Sequence, residues 1–167
     1  MTISFVRFAA DHAPLMFDWL HRPHVAEWWN EPPSLEEVVD EYVNGSEVEP
    51  YIVQLDDRPI GFIQSYVAAG AGGGWWSDVT DLGVRGIDQF IGEADCLDRG
   101  VGTEMVHAFV GRLFDDPDVT MVQVDPSPKN ARAIRCYEKA GFRAERVVET
   151  PDGPALYMTV TRASFQR

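Results

Sequence analysis

The sequence contains little positive charge and few cysteines. Its 167 residues include 14 lysines and arginines against 27 aspartates and glutamates, for a formal net charge of −13 and a pI near 4.5. Phosphate contacts require a basic surface, so neither a nucleic acid nor an anionic membrane is an expected partner. The two cysteines, Cys96 and Cys136, stand far apart in the chain. A disulfide framework or a thiolate zinc site is therefore not expected.

Long apolar runs are also missing. No stretch approaches the ~20 residues that span a bilayer, and the opening MTISFVRFAADHAP lacks the segments of a signal peptide. We therefore expect a cytoplasmic protein with reduced thiols. A hydrophobic content of 45% with 11% aromatic residues exceeds that of disordered acidic chains. Together with the length, it predicts a single folded domain over residues 1–167.

The negative charge is distributed unevenly along the chain. Between Pro23 and Val84 there are twelve acidic residues and one basic residue, Arg58. This acidic stretch, residues 23–84, carries −11 of the total charge, and the remaining residues sum to −2. The distribution predicts a surface in the N-terminal half that attracts cations.

Local patterns predict a mixed α/β protein. Ser34 and Glu37 form a capping-box pattern at the start of a helix, alternating segments such as PIGFIQSYV predict strands, and a glycine-rich loop occupies 70–76. The predicted order is β-α-α-β-β-β-α-β-α-β-β. Strands in a meander followed by strand–helix alternation predict a central mixed, mostly antiparallel sheet flanked by helices.

A loop at 96–103, CLDRGVGT, precedes an amphipathic helix. Its glycines allow backbone N–H groups to approach an anion, and the helix N-terminus favours negative charge. The loop lacks the GK[ST] sequence of nucleoside triphosphatases. A phosphate-binding turn and a plain turn are both compatible with this pattern.

The second half of the chain resembles the GNAT N-acetyltransferases. This resemblance depends on RGVG together with DPSPKNARAIRCYEKAGF at 125–142. The resemblance is narrowed to the aminoglycoside 6′-N-acetyltransferases by four further motifs, EWW at 27–29, GWW at 74–76, GVRGIDQFI at 83–91 and TPDGPALYM at 150–158. It implies the GNAT fold with acetyl-CoA as co-substrate. The implied coenzyme contacts are Gln89, Phe90, Ile91, Asp98, Arg99, Gly100, Val101, Gly102, Thr103, Asn130 and Tyr137. For Asn130, a helix-capping role explains the residue equally well.

Two catalytic residues are implied by the resemblance. Asp88 faces the reacting amine, either as general base or as an electrostatic anchor, since a carboxylate with an ordinary pKa of ~3.9 is a poor base for an amine. Tyr137 would protonate the departing thiolate, because phenol and thiol have similar pKa values. A salt-bridged strand aspartate and a core tyrosine are the structural alternatives.

Aminoglycosides are polycationic sugars, which bind carboxylates and aromatic faces. The candidate contacts share that chemistry and are Glu27, Trp28, Trp29, Tyr66, Trp75, Trp76, Asp88, Asp125 and Asp152. The tryptophans could also be core residues, and Asp152 a simple turn former. Neighbouring tryptophans cannot both face inward on one element, so one of each pair should be available to a ligand.

The expected activity is direct acetyl transfer from acetyl-CoA to the 6′-amine of aminoglycosides, which confers resistance. Two alternatives remain open, namely acetylation of other amines or of hydroxylamines in siderophore biosynthesis, and a non-catalytic module that binds coenzyme A or drug. No metal is expected, because His21 and His24 have no evident third ligand. We expect a monomer and leave a dimer open.

Overall fold

A computed structural model of the chain describes residues 1–29 and 33–167. The helices are α1 (Ala13–Leu20), α2 (Pro23–Ala26), α3 (Leu35–Tyr42), α4 (Val101–Phe114) and α5 (Ala131–Lys139). The strands are β1 (Ile3–Arg7), β2 (Glu49–Leu55), β3 (Arg58–Val67), β4 (Val84–Ile91), β5 (Met121–Val124), β6 (Arg143–Thr150) and β7 (Gly153–Thr161). The predicted order is found, with the short helix α2 as an addition.

The strands form one seven-stranded sheet in the order β1-β2-β3-β4-β5-β7-β6. β1 with β2, β2 with β3, β5 with β7 and β6 with β7 are antiparallel, whereas β4 and β5 run parallel. A mixed, mostly antiparallel sheet is therefore confirmed. The backbone contacts separate into two compact units, which are residues 1–65 with 88–101 and residues 66–87 with 102–167.

The first unit has an aromatic core. Phe62 of β3 packs against four aromatic rings at centroid distances of 5.2–6.1 Å, those of Phe8, Trp29, Tyr42 and Phe90. The rings of Trp29 and Phe90 also contact each other, with centroids 5.0 Å apart. The predicted capping box begins α3, because Ser34 Oγ accepts a hydrogen bond from the Glu37 amide, and the Glu37 carboxylate accepts one from the Ser34 amide. The cap holds α3 against this core, where Val38 and Tyr42 are buried.

The second unit is built on α4, α5 and the strands β5, β6 and β7. Met105, Val106, Phe109 and Val110 of α4 are buried, as the amphipathic pattern requires. Gly141 ends α5 with a φ of 105°, a left-handed conformation that glycine adopts without strain. Within the described residues, no helix is both long and apolar enough to cross a bilayer.

Candidate functional site

Asp88 is held by a buried glutamine of the neighbouring strand. Asp88 lies half-buried on β4, and the Gln64 amide donates a hydrogen bond from Nε2 to its Oδ2 at 3.0 Å. Only 7% of Gln64 is exposed. The donor fixes the orientation of the carboxylate. Sequence reasoning did not select Gln64, although a polar residue in the apolar strand PIGFIQSYV was a visible signal.

The end of α3 brings the Tyr42 phenol near Asp88, with Glu41 beside that phenol. Burial of Tyr42, and next the negative charges of Glu41 and Asp88, raise the pKa of its hydroxyl far above the ordinary value. Tyr42 therefore stays neutral. Desolvation, the largest influence, raises the pKa of Glu41. A hydrogen bond with Tyr42 opposes that rise, and the negative charges of Glu37 and Glu47 add to it. Tyr42 thus lies in the electrostatic field of two carboxylates, Glu41 and Asp88.

The predicted coenzyme strand, Gln89 to Ile91, forms the last three residues of β4. Gln89 and Ile91 are half-buried, whereas the Phe90 ring is buried against Trp29 and Trp19, with centroids 5.0 and 6.1 Å away. Phe90 can therefore offer a ligand its backbone only. The Ile91 carbonyl accepts a hydrogen bond from His24 Nε2 at 2.9 Å. His24 thus has a structural function at the end of β4, which its spacing from His21 did not predict.

A polar network fixes the chain where β4 ends. Arg22 donates to the Gly92 carbonyl at 2.9 Å and to Glu93 at 3.0 Å, and the Trp19 indole donates to Glu93 at 2.9 Å. The Trp19 hydrogen bond, and after it Arg22, lower the pKa of Glu93 against the opposing effect of partial burial. Sequence reasoning missed this network because its partners are more than 65 residues apart.

The predicted phosphate loop leads into the N-terminus of α4. Asp98 and Gly100 have φ values of 58° and 78°, which turn the backbone sharply before the helix. Asp98, Arg99 and Gly100 are exposed, the Val101 side chain is buried, and Gly102 and Thr103 are half-buried in the first turn. The exposed turn and the helix N-terminus suit an anion bound through backbone N–H groups.

Helix α5 carries the other predicted coenzyme residues. Asn130 Oδ1 accepts a hydrogen bond from the Ala133 amide at 3.2 Å, so Asn130 is the N-cap of the helix. Tyr137 is only 6% exposed, and its ring meets Phe142 edge-on at 5.5 Å. Burial, the largest influence, raises the pKa of the neighbouring Cys136 thiol. A thiol of raised pKa is a poor nucleophile at neutral pH.

The structure separates the two tryptophans of the EWW motif. The Trp29 ring packs against Phe62 and Phe90 at 5.8 and 5.0 Å, while Trp28 is 39% exposed. Glu27 is also exposed. Of this predicted substrate group, Glu27 and Trp28 are accessible to a ligand, and Trp29 belongs largely to the core.

In the second unit, Trp76 is anchored by two tyrosines. Its indole Nε1 donates to the Tyr66 hydroxyl at 2.9 Å, and its ring lies 5.6 Å from that of Tyr157. Trp76 has a φ of 49°, an uncommon conformation for a bulky residue. Trp75 is half-buried, with its ring 5.9 Å from that of Trp76. The anchor fixes the end of the glycine-rich loop and with it the position of Trp75.

Two predicted carboxylates lie at the ends of secondary structure in the second unit. Asp125 follows β5 and is half-buried, and Asp152 is exposed in the turn between β6 and β7. The Asp152 amide donates to Thr150 Oγ1 at 3.2 Å, which shows the turn-forming role. In the part of the chain that the structure describes, no cluster of three histidine, cysteine, aspartate or glutamate residues could hold a metal ion.

Known proteins share both the sequence and this geometry. The sequence profile of the acetyltransferase (GNAT) domain matches residues 9–150. The chain belongs to the GNAT acetyltransferase family. It is 49% identical over 170 residues to the aminoglycoside N(6′)-acetyltransferase type 1 of Klebsiella pneumoniae, covering 97% of this chain and 85% of that protein. The predicted GNAT family is thus confirmed.

Solved GNAT structures extend the likeness to the whole fold. AAC(6′)-Ib in complex with paromomycin and acetyl-CoA has a TM-score of 0.96 and 48% identity, covering 100% of this chain and 97% of that one. AAC(6′)-Ib with coenzyme A and kanamycin has a TM-score of 0.94 and 48% identity, with 98% and 97% covered. The GNAT fold predicted from the sequence is confirmed by these structures.

Proposed function

We propose that this GNAT protein transfers the acetyl group of acetyl-CoA to the 6′-amine of aminoglycosides and thereby confers resistance to them. The observation that carries the proposal is the near full-length similarity to an aminoglycoside N(6′)-acetyltransferase and to AAC(6′)-Ib bound to acetyl-CoA or to kanamycin. Acetyl-CoA is a co-substrate here. The residues that we assign to the reaction rest on the family resemblance and on their local geometry.

The reaction needs a neutral amine that attacks the thioester carbonyl. A C–N bond forms, the C–S bond breaks, and the amine nitrogen loses one proton. We assign that proton to Asp88, whose carboxylate Gln64 orients. The thiolate of coenzyme A takes a proton from Tyr137, since the pKa values of a thiol and a phenol, ~8.5 and ~10, are close. Both residues then exchange protons with water.

Substrate and coenzyme require opposite surface charges. The acidic stretch and the exposed Glu27 and Trp28 are suited to ammonium groups and sugar rings. The turn before α4 is suited to the phosphates of acetyl-CoA. We also assign Trp75, Asp125 and Asp152 to the aminoglycoside and the backbone of Gln89 to Ile91 to the pantetheine arm.

A thiol-release assay with kanamycin and acetyl-CoA tests the proposal. We expect turnover that depends on kanamycin, and a fall in kcat of about 100-fold or more for Asp88→Asn, the range of general acid–base catalysis. Asp118→Asn is the matched control, because Asp118 is exposed in the connection between α4 and β5, and it should retain wild-type kcat. Saturable kanamycin binding without thiol release would instead indicate a non-catalytic binding module.

We infer a cytoplasmic location, supported by the free thiols of Cys96 and Cys136. We also expect a monomer. Light scattering at several protein concentrations measures the molar mass in solution and tests this expectation. A mass that increases with concentration to twice that of the chain would indicate a dimer.

A further inference from the structure

The backbone polar groups of β4 are divided between its two edges. The Ala68 amide donates to the Val84 carbonyl at 3.1 Å, and the Gly92 amide donates to the Ile60 carbonyl at 2.8 Å. These two bonds lie the same number of residues apart on both strands, so β3 and β4 pair antiparallel in one register. In such a pair, alternate residues direct both of their polar groups to the partner strand. Every second residue from Val84 to Gly92 therefore faces β3, and the residues between them face the opposite edge.

The opposite edge is the one that β5 uses at the start of β4. β5 pairs in parallel with Val84 to Gly86, and Gln89 and Ile91 continue the same edge beyond those pairs. We call the backbone of Gln89 and Ile91 on this side the coenzyme edge. An extended group placed along it bonds to the main-chain N–H and C=O groups as an added strand does. The amides of the pantetheine arm, which we assigned to this segment, can form such hydrogen bonds.

His24 binds the last carbonyl of the coenzyme edge. Its Nε2 lies 2.9 Å from the Ile91 oxygen, and the imidazole donates because a carbonyl only accepts. The next carbonyl, that of Gly92, accepts a hydrogen bond from Arg22 at 2.9 Å. Pro23 stands between the two donors and begins α2, and its ring restricts the backbone there. Two consecutive peptide groups are therefore held by one short, rigid segment.

Close packing also restricts the end of β4. A Cβ added at Gly92 would overlap the Trp19 indole, and a Cβ added at Gly61 of β3 would overlap the Phe90 carbonyl. Water could satisfy the oxygen of the half-buried Ile91 without fixing its direction. A donor that the fold holds in place does fix it, which indicates a role in positioning.

We propose that His24 is a positioning residue for acetyl-CoA. Its hydrogen bond to the Ile91 carbonyl fixes the peptide plane at the end of the coenzyme edge before the coenzyme binds. Binding then has a smaller ordering cost, because the edge is already in its bound arrangement. The same bond occupies the Ile91 oxygen, so pantetheine pairs with the remaining polar groups of Gln89 and Ile91. This inference rests on the proposed acetyltransferase function.

Two substitutions of His24 test the role of its donor. His24→Leu removes the donor and keeps an apolar side chain of similar size. We expect the dissociation constant of coenzyme A, measured by isothermal titration without kanamycin, to rise about 2- to 10-fold, the value of one net hydrogen bond. The KM for acetyl-CoA should rise with it, while kcat and the KM for kanamycin change little. His24→Gln should restore most of the affinity, because its amide nitrogen is a donor that extends about as far from the backbone as the imidazole Nε2.

His107→Leu is the matched control. His107 is also half-buried, and its Nε2 donates to the Gln166 carbonyl at 2.7 Å, so this substitution removes the same kind of bond elsewhere in the fold. Urea unfolding measures the stability that each leucine variant loses, and only His24→Leu should also lose affinity for coenzyme A. An equal loss of affinity in both variants would show that it results from destabilisation and would overturn the positioning role.

The outcomes distinguish the inference from the function on which it rests. A folded His24→Leu variant that binds coenzyme A as tightly as the wild type would overturn the positioning role and leave the proposed function intact. If His24→Leu does not fold, His24→Asn replaces it with the same expectation, because the shorter amide does not reach the Ile91 carbonyl. A wild type that binds coenzyme A but does not acetylate kanamycin would overturn the proposed function, and a wild type that does not bind coenzyme A would overturn both.

Discussion

Gly86 offers a direct test of how the second unit is packed. Gly86 is buried on β4 beside the Tyr66 ring, and a Cβ added there would lie 2.5 Å from Tyr66 Cε1 and closer still to Cζ and Oη. Its φ does not lie in the left-handed region, so alanine is acceptable to the backbone and the cost is steric. Gly86→Ala must therefore push the tyrosine ring away.

The displacement has two costs that can be estimated. Overpacking a buried site costs about 1–3 kcal/mol, and loss of the 2.9 Å hydrogen bond from Trp76 Nε1 to Tyr66 costs about 0.5–1.5 kcal/mol. We expect a loss of about 2–4 kcal/mol in the free energy of unfolding. In a chain of this size that corresponds to a melting temperature lower by roughly 5–15 °C. Urea and thermal unfolding measure both quantities.

Gly111 provides the matched control for this substitution. It lies in α4, where the nearest atoms to an added Cβ, in Phe165 and Arg167, are 3.7 Å away. Alanine is favoured over glycine inside a helix by about 0.5–1 kcal/mol, so Gly111→Ala should be more stable than the wild type. A Gly86→Ala variant as stable as Gly111→Ala would refute the packing described for Tyr66.

Two further predictions concern charge. The folded protein lowers the pKa of Glu93 below its ordinary 4.5, so this carboxylate stabilises the fold above the unfolded pKa, and the contribution is lost as the pH falls through the folded value. Glu93→Gln should therefore reduce the free energy of unfolding at pH 7 by about 1–2 kcal/mol. It should also weaken the pH dependence of that free energy below about pH 5. Urea unfolding curves of the variant from pH 3 to 7 that coincide with those of the wild type would contradict this prediction. Because the acidic stretch carries a charge of −11, the KM for kanamycin should rise with added salt more steeply than the KM for acetyl-CoA. Equal dependence of both KM values on salt in steady-state assays would contradict the assignment of the acidic stretch to the cationic substrate.

Local patterns made much of the fold predictable. The capping box of Ser34 and Glu37 depends on residues three apart, and the structure contains both of its hydrogen bonds. The glycine before α4 likewise has the left-handed conformation that a tight turn requires. Adjacent tryptophans on one short segment must diverge, and Trp28 is accessible while Trp29 packs into the core.

The missed features depend on which distant residues become neighbours. Gln64 and Asp88 are on different strands, and the pairing of Arg22 with Glu93 joins the turn after α1 to the end of β4. No local periodicity encodes those contacts, since they follow from strand order and register. The close contact that a Cβ at position 86 would make with the Tyr66 ring likewise depends on how two strands pair.

The central claim is the identity of the acetylated product. Kanamycin incubated with acetyl-CoA and the purified protein should give a product with one added acetyl group by mass spectrometry, and NMR should place that group on the 6′-nitrogen. Unmodified kanamycin after incubation with folded protein, or an acetyl group on a different amine, would contradict the proposed function.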